Sequence, residues 1–159
     1  MSIFVWIANI FGWPIIHIAI STLSLRLPAE NFVGDNWITV SRKWERDGQF
    51  YQDWLRIRKW KQILPDGAPW LGGFSKKTLK RHDPGYLSQF LIETRRAEIA
   101  HWCMLACCPL FFLWNPPWAR CVMCAYAVAA NLPCIIAQRY NRIAISRLVS
   151  NRSEAIARP

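Results

Sequence analysis

Residues 2–25 contain no Asp, Glu, Lys or Arg. At 1.5 Å of rise per residue, a helix of that length crosses a hydrocarbon layer roughly 30 Å thick. The rival reading is a cleaved signal peptide, which opens on a positively charged stretch and closes on small residues. This segment opens Met-Ser-Ile-Phe-Val-Trp, so it is expected to stay in the membrane. A second apolar region runs over residues 97–138, broken at Asn115-Pro116-Pro117, where two prolines remove backbone donors and force a turn. It reads as a hairpin of helices over 97–114 and 118–138, with Arg120 and Trp114 or Trp118 at an interface. A buried hairpin of a soluble protein is the alternative.

Together these segments predict an all-α integral membrane protein with about three transmembrane helices, forming a single domain over residues 1–159. Residues 26–96 are then a cytoplasmic or interfacial segment and 139–159 a cytoplasmic tail. Composition agrees. The chain is 53% hydrophobic, carries ten tryptophans and has a formal charge of +10, a combination that suits neither a soluble core nor a nucleic-acid binder unless the two properties are segregated. They are segregated. Of twenty basic residues, fourteen lie between Arg26 and Arg96, five after residue 138, and only Arg120 in the hairpin turn. Three spans put nineteen on one side, which predicts an outside N-terminus and a cytoplasmic C-terminus.

Cys103, Cys107, Cys108, Cys121, Cys124 and Cys134 all fall in the hairpin. Cys121 and Cys124 are spaced like half a zinc site, but no partner pair follows at ligand spacing, so all six read as small packing residues with no metal expected. Over residues 37–64, Trp44, Phe50, Tyr51, Trp54 and Trp60 interleave with Arg and Lys. Nucleic acid is one partner for such a pattern. Beside membrane spans it fits anionic headgroups better, so residues 49–63 are expected as a helix lying in the interface, and no nucleic acid is expected. Leu64-Pro65-Asp66-Gly67 ends it by turn chemistry, and Lys76, Lys77, Lys80 and Arg81 follow in a loop.

Helical periodicity returns near Tyr86, and Glu93, Arg96, Glu98 and His101 lead into a span. Ionisable groups at that depth are costly unless paired or wetted, which makes them candidates for chemistry. Glu93 and His101 share a helix face, and Glu98 is three residues from His101. A carboxylate beside an imidazole sets its tautomer and basicity, as a general base requires. An interfacial ion-pair belt and half of a two-metal carboxylate site are the alternatives. Asn131 and Pro133 interrupt the third span, and Gln138, Arg139, Tyr140, Asn141 and Arg142 return to the depth of the first cluster. In the first span Asn9, Trp13, His17, Ser21 and Ser24 form a polar stripe expected to face the other helices. His17 reads there as a packed hydrogen-bonding residue.

The segments Arg58-Lys59-Trp60-Lys61 with Leu64-Pro65-Asp66-Gly67, Glu93-Thr94-x-Arg96-Ala97-Glu98-x-x-His101-Trp102, and Ala130-Asn131-x-Pro133 with Gln138-Arg139-Tyr140-Asn141-Arg142 resemble the glycosyl-4,4'-diaponeurosporenoate acyltransferase family of staphyloxanthin-type carotenoid biosynthesis. The resemblance runs from Arg26-Leu27-Pro28 to about Leu148. It implies a bacterial plasma (inner) membrane protein that esterifies a sugar hydroxyl of a glycosylated carotenoid, or a related glycolipid, with a fatty acyl group.

Roles follow from spacing. No Gly-x-Ser-x-Gly elbow is present, which favours direct transfer over an acyl-enzyme. His101 is the expected base, with Glu98 or Glu93 orienting it. Arg96, Arg139 and Arg142 are expected to hold the phosphates or thioester end of the donor, and Asn131, Gln138 or Tyr140 to face the oxyanion. Asn141, Trp60 and Lys61 complete the expected substrate-binding set. The acyl donor, acyl-CoA or an acyl carrier thioester, is a co-substrate and no bound cofactor is expected. A second reading, from a different class, is a non-catalytic structural or pigment-holding small subunit of a larger membrane complex. Transport fits less well, since three helices do not easily enclose a pathway.

Overall fold

The computed structural model describes residues 2–157 apart from 66, 77, 78 and 80–82, and side chains as far as residue 152. Asp66 of the expected turn, Lys77, Lys80 and Arg81 of the basic loop, and Arg158 of the tail lie outside the described residues.

The described chain is all helical. Helix α1 spans Ile3–Arg26, two short helices α2 and α3 span Gln49–Asp53 and Ile57–Trp60, α4 spans Pro84–Ala106, and α5 spans Pro117–Ala157. Three stretches, Ile3–Arg26, Pro84–Leu113 and Pro117–Arg152, are long and apolar enough to cross a membrane. Ile3, Phe4, Ile7, Ile10 and Phe11 of α1 are more than half exposed, the pattern of a surface meant for lipid.

The two hairpin helices are longer than the apolar runs alone indicate. The Asp83 side chain accepts from the Tyr86 N–H at 3.0 Å, and Pro84 occupies the first turn, so α4 starts well before residue 97. Nor does α5 end near residue 138. It continues through Pro133, which has no N–H to offer the Ala129 carbonyl, and on to Ala157, through most of the expected cytoplasmic tail. Packing accounts for the extension. Tyr140 and Ile143 bury against Tyr51 and Ile57, and Ile145 buries against Leu87 and Phe90.

Residues 49–63 do not make one helix. Arg56 has φ 47° and separates α2 from α3, after which Lys61–Ile63 is a 3-10 turn. Tyr51 and Ile57, six positions apart, would point about 120° apart on a continuous helix, and the break lets both reach α5. Gly48, at φ 87°, approaches Ile143 closely, since a Cβ there would lie 3.4 Å from its side chain.

At the other end of the spans, Trp13 stacks on Phe111 with ring centroids 4.6 Å apart. The amides of Asn9 and Asn115 bond reciprocally at 2.8 Å, and Trp114 Nε1 donates to Asn9 Oδ1 at 2.9 Å. This polar knot ties α1 to the hairpin turn, with these side-chain donors satisfied inside the protein rather than turned to lipid.

On the basic side a buried ionic network joins the segment after α1 to α4 and α5. Arg139 donates to Glu98 at 2.7 Å and to Glu45 at 2.9 Å, and Arg142 donates to the other Glu98 oxygen and to the Thr39 carbonyl. Arg95 pairs with Asp35 at 2.7 Å. Burial on its own would raise the Glu45 carboxyl, but hydrogen bonds from Arg139, Tyr51 and the Arg42 N–H outweigh it and hold the group below its ordinary value of 4.5. A depressed carboxyl adds stability above its unfolded pKa and loses it as pH falls through the folded one. The thermal midpoint in detergent is therefore expected to drop as pH is lowered below about 4.5, and Glu45→Gln should flatten that drop while lowering the midpoint at neutral pH. An unchanged pH dependence would show that Glu45 does not carry it.

Candidate active site

A cavity of about 750 Å³ lies between α1, α4, α5 and the connection from Lys61 to Lys76. Small-molecule sites fall at roughly 300–1,000 Å³. One zone of its wall is apolar, with Ile18, Met104, Tyr126, Ala129 and Cys134; the other carries Lys61, Lys76, Glu93, Arg96, Gln138 and Asn141. Helical spacing produces this division. On α4, positions 93, 96, 97, 100, 101 and 104 share one face, polar at its start and apolar at its end. On α5, alanines at 129, 130 and 137 line the cavity where larger side chains would fill it.

His101 sits on this wall at the level of Asn131, its Nδ1 3.0 Å from Asn131 Oδ1. The amide orientation is set one turn earlier, where Asn131 Nδ2 donates to the Ala127 carbonyl at 2.9 Å. Oδ1 therefore accepts, the proton of a neutral His101 is on Nδ1, and Nε2 keeps its lone pair. His17 also lines the cavity, with Nδ1 2.9 Å from the Trp13 carbonyl, a hydrogen bond inside its own helix.

The carboxylates expected beside His101 are elsewhere. Glu98 is fully buried and bonded to Arg139 and Arg142, because α5 brings two guanidiniums to that side of α4 and a carboxylate prefers them to a neutral imidazole. Glu93 accepts from Gln89 at 2.9 Å and pairs with Arg96 at 3.2 Å. Eight residues of helix, about 12 Å of rise, separate it from His101. Orientation of the imidazole thus falls to Asn131, not to a carboxylate.

The cations are also placed differently. Arg139 and Arg142 are 8% and 1% exposed, neutralised, and away from the cavity, so the donor-holding role expected of them has no geometric support. Arg96 touches the cavity, but its guanidinium caps α1 through the Ser24 and Leu27 carbonyls, the latter at 2.8 Å. The Tyr140 hydroxyl accepts from Gln52 and Arg58, and Trp60 Nε1 donates to the Leu55 carbonyl at 2.7 Å, both outside the cavity. Gln138, Asn141 and Lys61 do line it, with Lys61 Nζ 2.7 Å from Asn141 Oδ1 and 4.9 Å from the Tyr140 ring centre. Burial first, and Arg58 second, push the Lys61 ammonium pKa down.

Sequence reasoning missed Thr39, Glu45 and Asp35 as partners of the α4 and α5 arginines, and Tyr126, Met104 and Trp70 as cavity wall. The polar stripe of α1 signalled one wall in advance, since His17, Ser21 and Ser24 all face the cavity, as do His101, Gln138, Asn141 and Lys61 of the expected site.

Fold and site together define a small helical membrane protein with a half-open amphipathic cavity and an oriented imidazole in its wall. Residues 34–151 match the glycosyl-4,4'-diaponeurosporenoate acyltransferase family. Proteins of that name from Staphylococcus aureus strains bovine RF122 / ET3-1 and USA300 are each 32% identical over 139 residues, covering 86% of this chain and 83% of the relative. No solved structure matches. The chain belongs to the glycosyl-4,4'-diaponeurosporenoate acyltransferase family and is an acyltransferase. The reading as a non-catalytic subunit falls on that membership.

Proposed function

We propose that the chain transfers a fatty acyl group directly from a thioester donor, acyl-CoA or an acyl carrier thioester, to a sugar hydroxyl of a glycosylated carotenoid or related glycolipid. The observation that carries this reading is the imidazole of His101, pinned at Nδ1 by Asn131 in the wall of a cavity polar on one side and apolar on the other. Nε2 takes the hydroxyl proton as the oxygen attacks the thioester carbonyl, and the imidazolium returns it to the departing thiolate as the ester forms. Lys76, a buried cation on the same wall, supplies positive charge for the developing oxyanion. The apolar zone accommodates part of the acyl or polyene chain.

The relatives' name supports the glycosylated carotenoid as acceptor. The clustering of basic residues supports insertion in a bacterial plasma membrane with the N-terminus outside and the C-terminus and cavity mouth cytoplasmic. Expressed in a host that makes glycosylated carotenoid and fatty acyl donors, the chain is expected to yield an acylated pigment, seen by mass spectrometry of lipid extracts. Extracts identical to those of the empty host, with the protein present in its membranes, would overturn the reading.

A further inference from the structure

We infer that the polar zone of the cavity is a sugar subsite in which Gln138 accepts a hydrogen bond from an acceptor hydroxyl other than the one acylated; this rests on the acyl-transfer reading above. Gln138 Oε1 is buried and accepts no hydrogen bond from any described residue. A buried carbonyl left in that state is costly, and since the Gln138 side chain lines the cavity, a turn of its amide toward the cavity lets a ligand O–H relieve the cost.

The neighbours select the kind of ligand. The Glu93 carboxylate, with bonds from Gln89 and Arg96, has lone pairs to spare, and Lys61 Nζ gives one of its three protons to Asn141. This zone therefore contains one acceptor in want of a donor, Gln138 Oε1, and a carboxylate able to accept another bond. Beside them are the Lys61 and Lys76 ammoniums, with the Arg96 guanidinium turned to the end of α1. An anion would face the Glu93 carboxylate and the Gln138 carbonyl, both repulsive. A polyol satisfies both acceptors and accepts from Lys61. Trp70, also on the cavity wall, offers an indole to the C–H face of a sugar ring.

Position agrees with chemistry. Gln138 follows Asn131, the partner of His101, by seven residues, about 10 Å of helix rise. Side chains lean toward the N-terminus of their own helix, and α4 and α5 run antiparallel, so His101 and Gln138 lean toward each other. The space between them suits one ring, with one hydroxyl at His101 Nε2 and another at Gln138.

Membranes of an expressing host, supplied with both acyl-CoA and an acyl carrier thioester, can be offered octyl glucoside and octanol, whose apolar tails are the same. Esters are read by mass spectrometry, and binding of labelled octyl glucoside to purified protein by equilibrium dialysis. Gln138→Met, which keeps the shape without the acceptor, is expected to lower the preference for glucoside over octanol about tenfold relative to the unsubstituted chain and to weaken dialysed binding similarly. Gln138→Glu, which restores an acceptor, is expected to keep both. Transfer with undiminished preference in Gln138→Met would overturn the subsite and leave acyl transfer standing. Glucoside binding weakened in Gln138→Met, with no ester formed by the unsubstituted chain, would overturn acyl transfer to glycosides and support the subsite. Neither binding nor ester would overturn both.

Discussion

Glu98→Ala is expected to lose about 3–5 kcal/mol of stability, a large share of what holds a domain of this size folded. Glu98 is fully buried, and its two oxygens take one hydrogen bond each from Arg139 and Arg142. Removing the carboxylate leaves Arg139 with Glu45, but leaves Arg142, itself 1% exposed, facing among the described residues only the Thr39 carbonyl and Asp35 at 3.8 Å. A buried guanidinium stripped of its close counter-charge is what makes half-broken ion networks so destabilising. Glu98→Gln keeps one acceptor and should lose less. The check is the thermal midpoint in detergent at neutral pH, where a fall on the order of 10 °C or more is expected for Glu98→Ala. A midpoint unchanged from that of the unsubstituted chain would mean that Glu98 does not hold α4 to α5.

The same network marks the boundary of what could be read from the residues alone. Lipid sets a simple requirement, an uninterrupted apolar helix of sufficient length, so the three spans and the Asn115-Pro116-Pro117 turn were legible. An antiparallel hairpin also has to bring residues 131–142 back beside residues 93–101, and the bond from His101 to Asn131 and the ion pairs from Glu98 to Arg139 and Arg142 cross that interface. The choice among those partners was not legible. Helical spacing identifies neighbours on one helix, Glu98 and His101 for example, but not which of them a second helix will claim. Glu45 and Asp35 reach Arg139 and Arg95 across 94 and 60 residues of chain, through turns with left-handed backbone at Arg46, Asp47 and Gly48 that no periodicity announces. The basic, Trp-rich stretch was misleading as one helix for the same reason: the need to bury both Tyr51 and Ile57 broke it at Arg56.

His101→Ala is expected to lower acyl transfer by roughly 10²–10⁴-fold, the usual contribution of a positioned general base. The side chain bonds only to Asn131 among the described residues, so its removal costs the fold little next to Glu98. The rival to a base mechanism is on the same wall. Cys134 is a free thiol that lines the cavity with His101, and a thiol near an imidazole is the arrangement from which a covalent acyl-enzyme could be built. Direct transfer leaves Cys134 a packing residue and gives the proton to His101, with no acyl group ever held on the protein.

The most direct measurement is therefore the rate of glycoside acylation by membranes containing, at matched amounts, the unsubstituted chain, His101→Ala or Cys134→Ala. Transfer lost in His101→Ala and kept in Cys134→Ala is the predicted result. Transfer kept in His101→Ala, or lost in a folded Cys134→Ala protein, would contradict direct transfer from a His101 base.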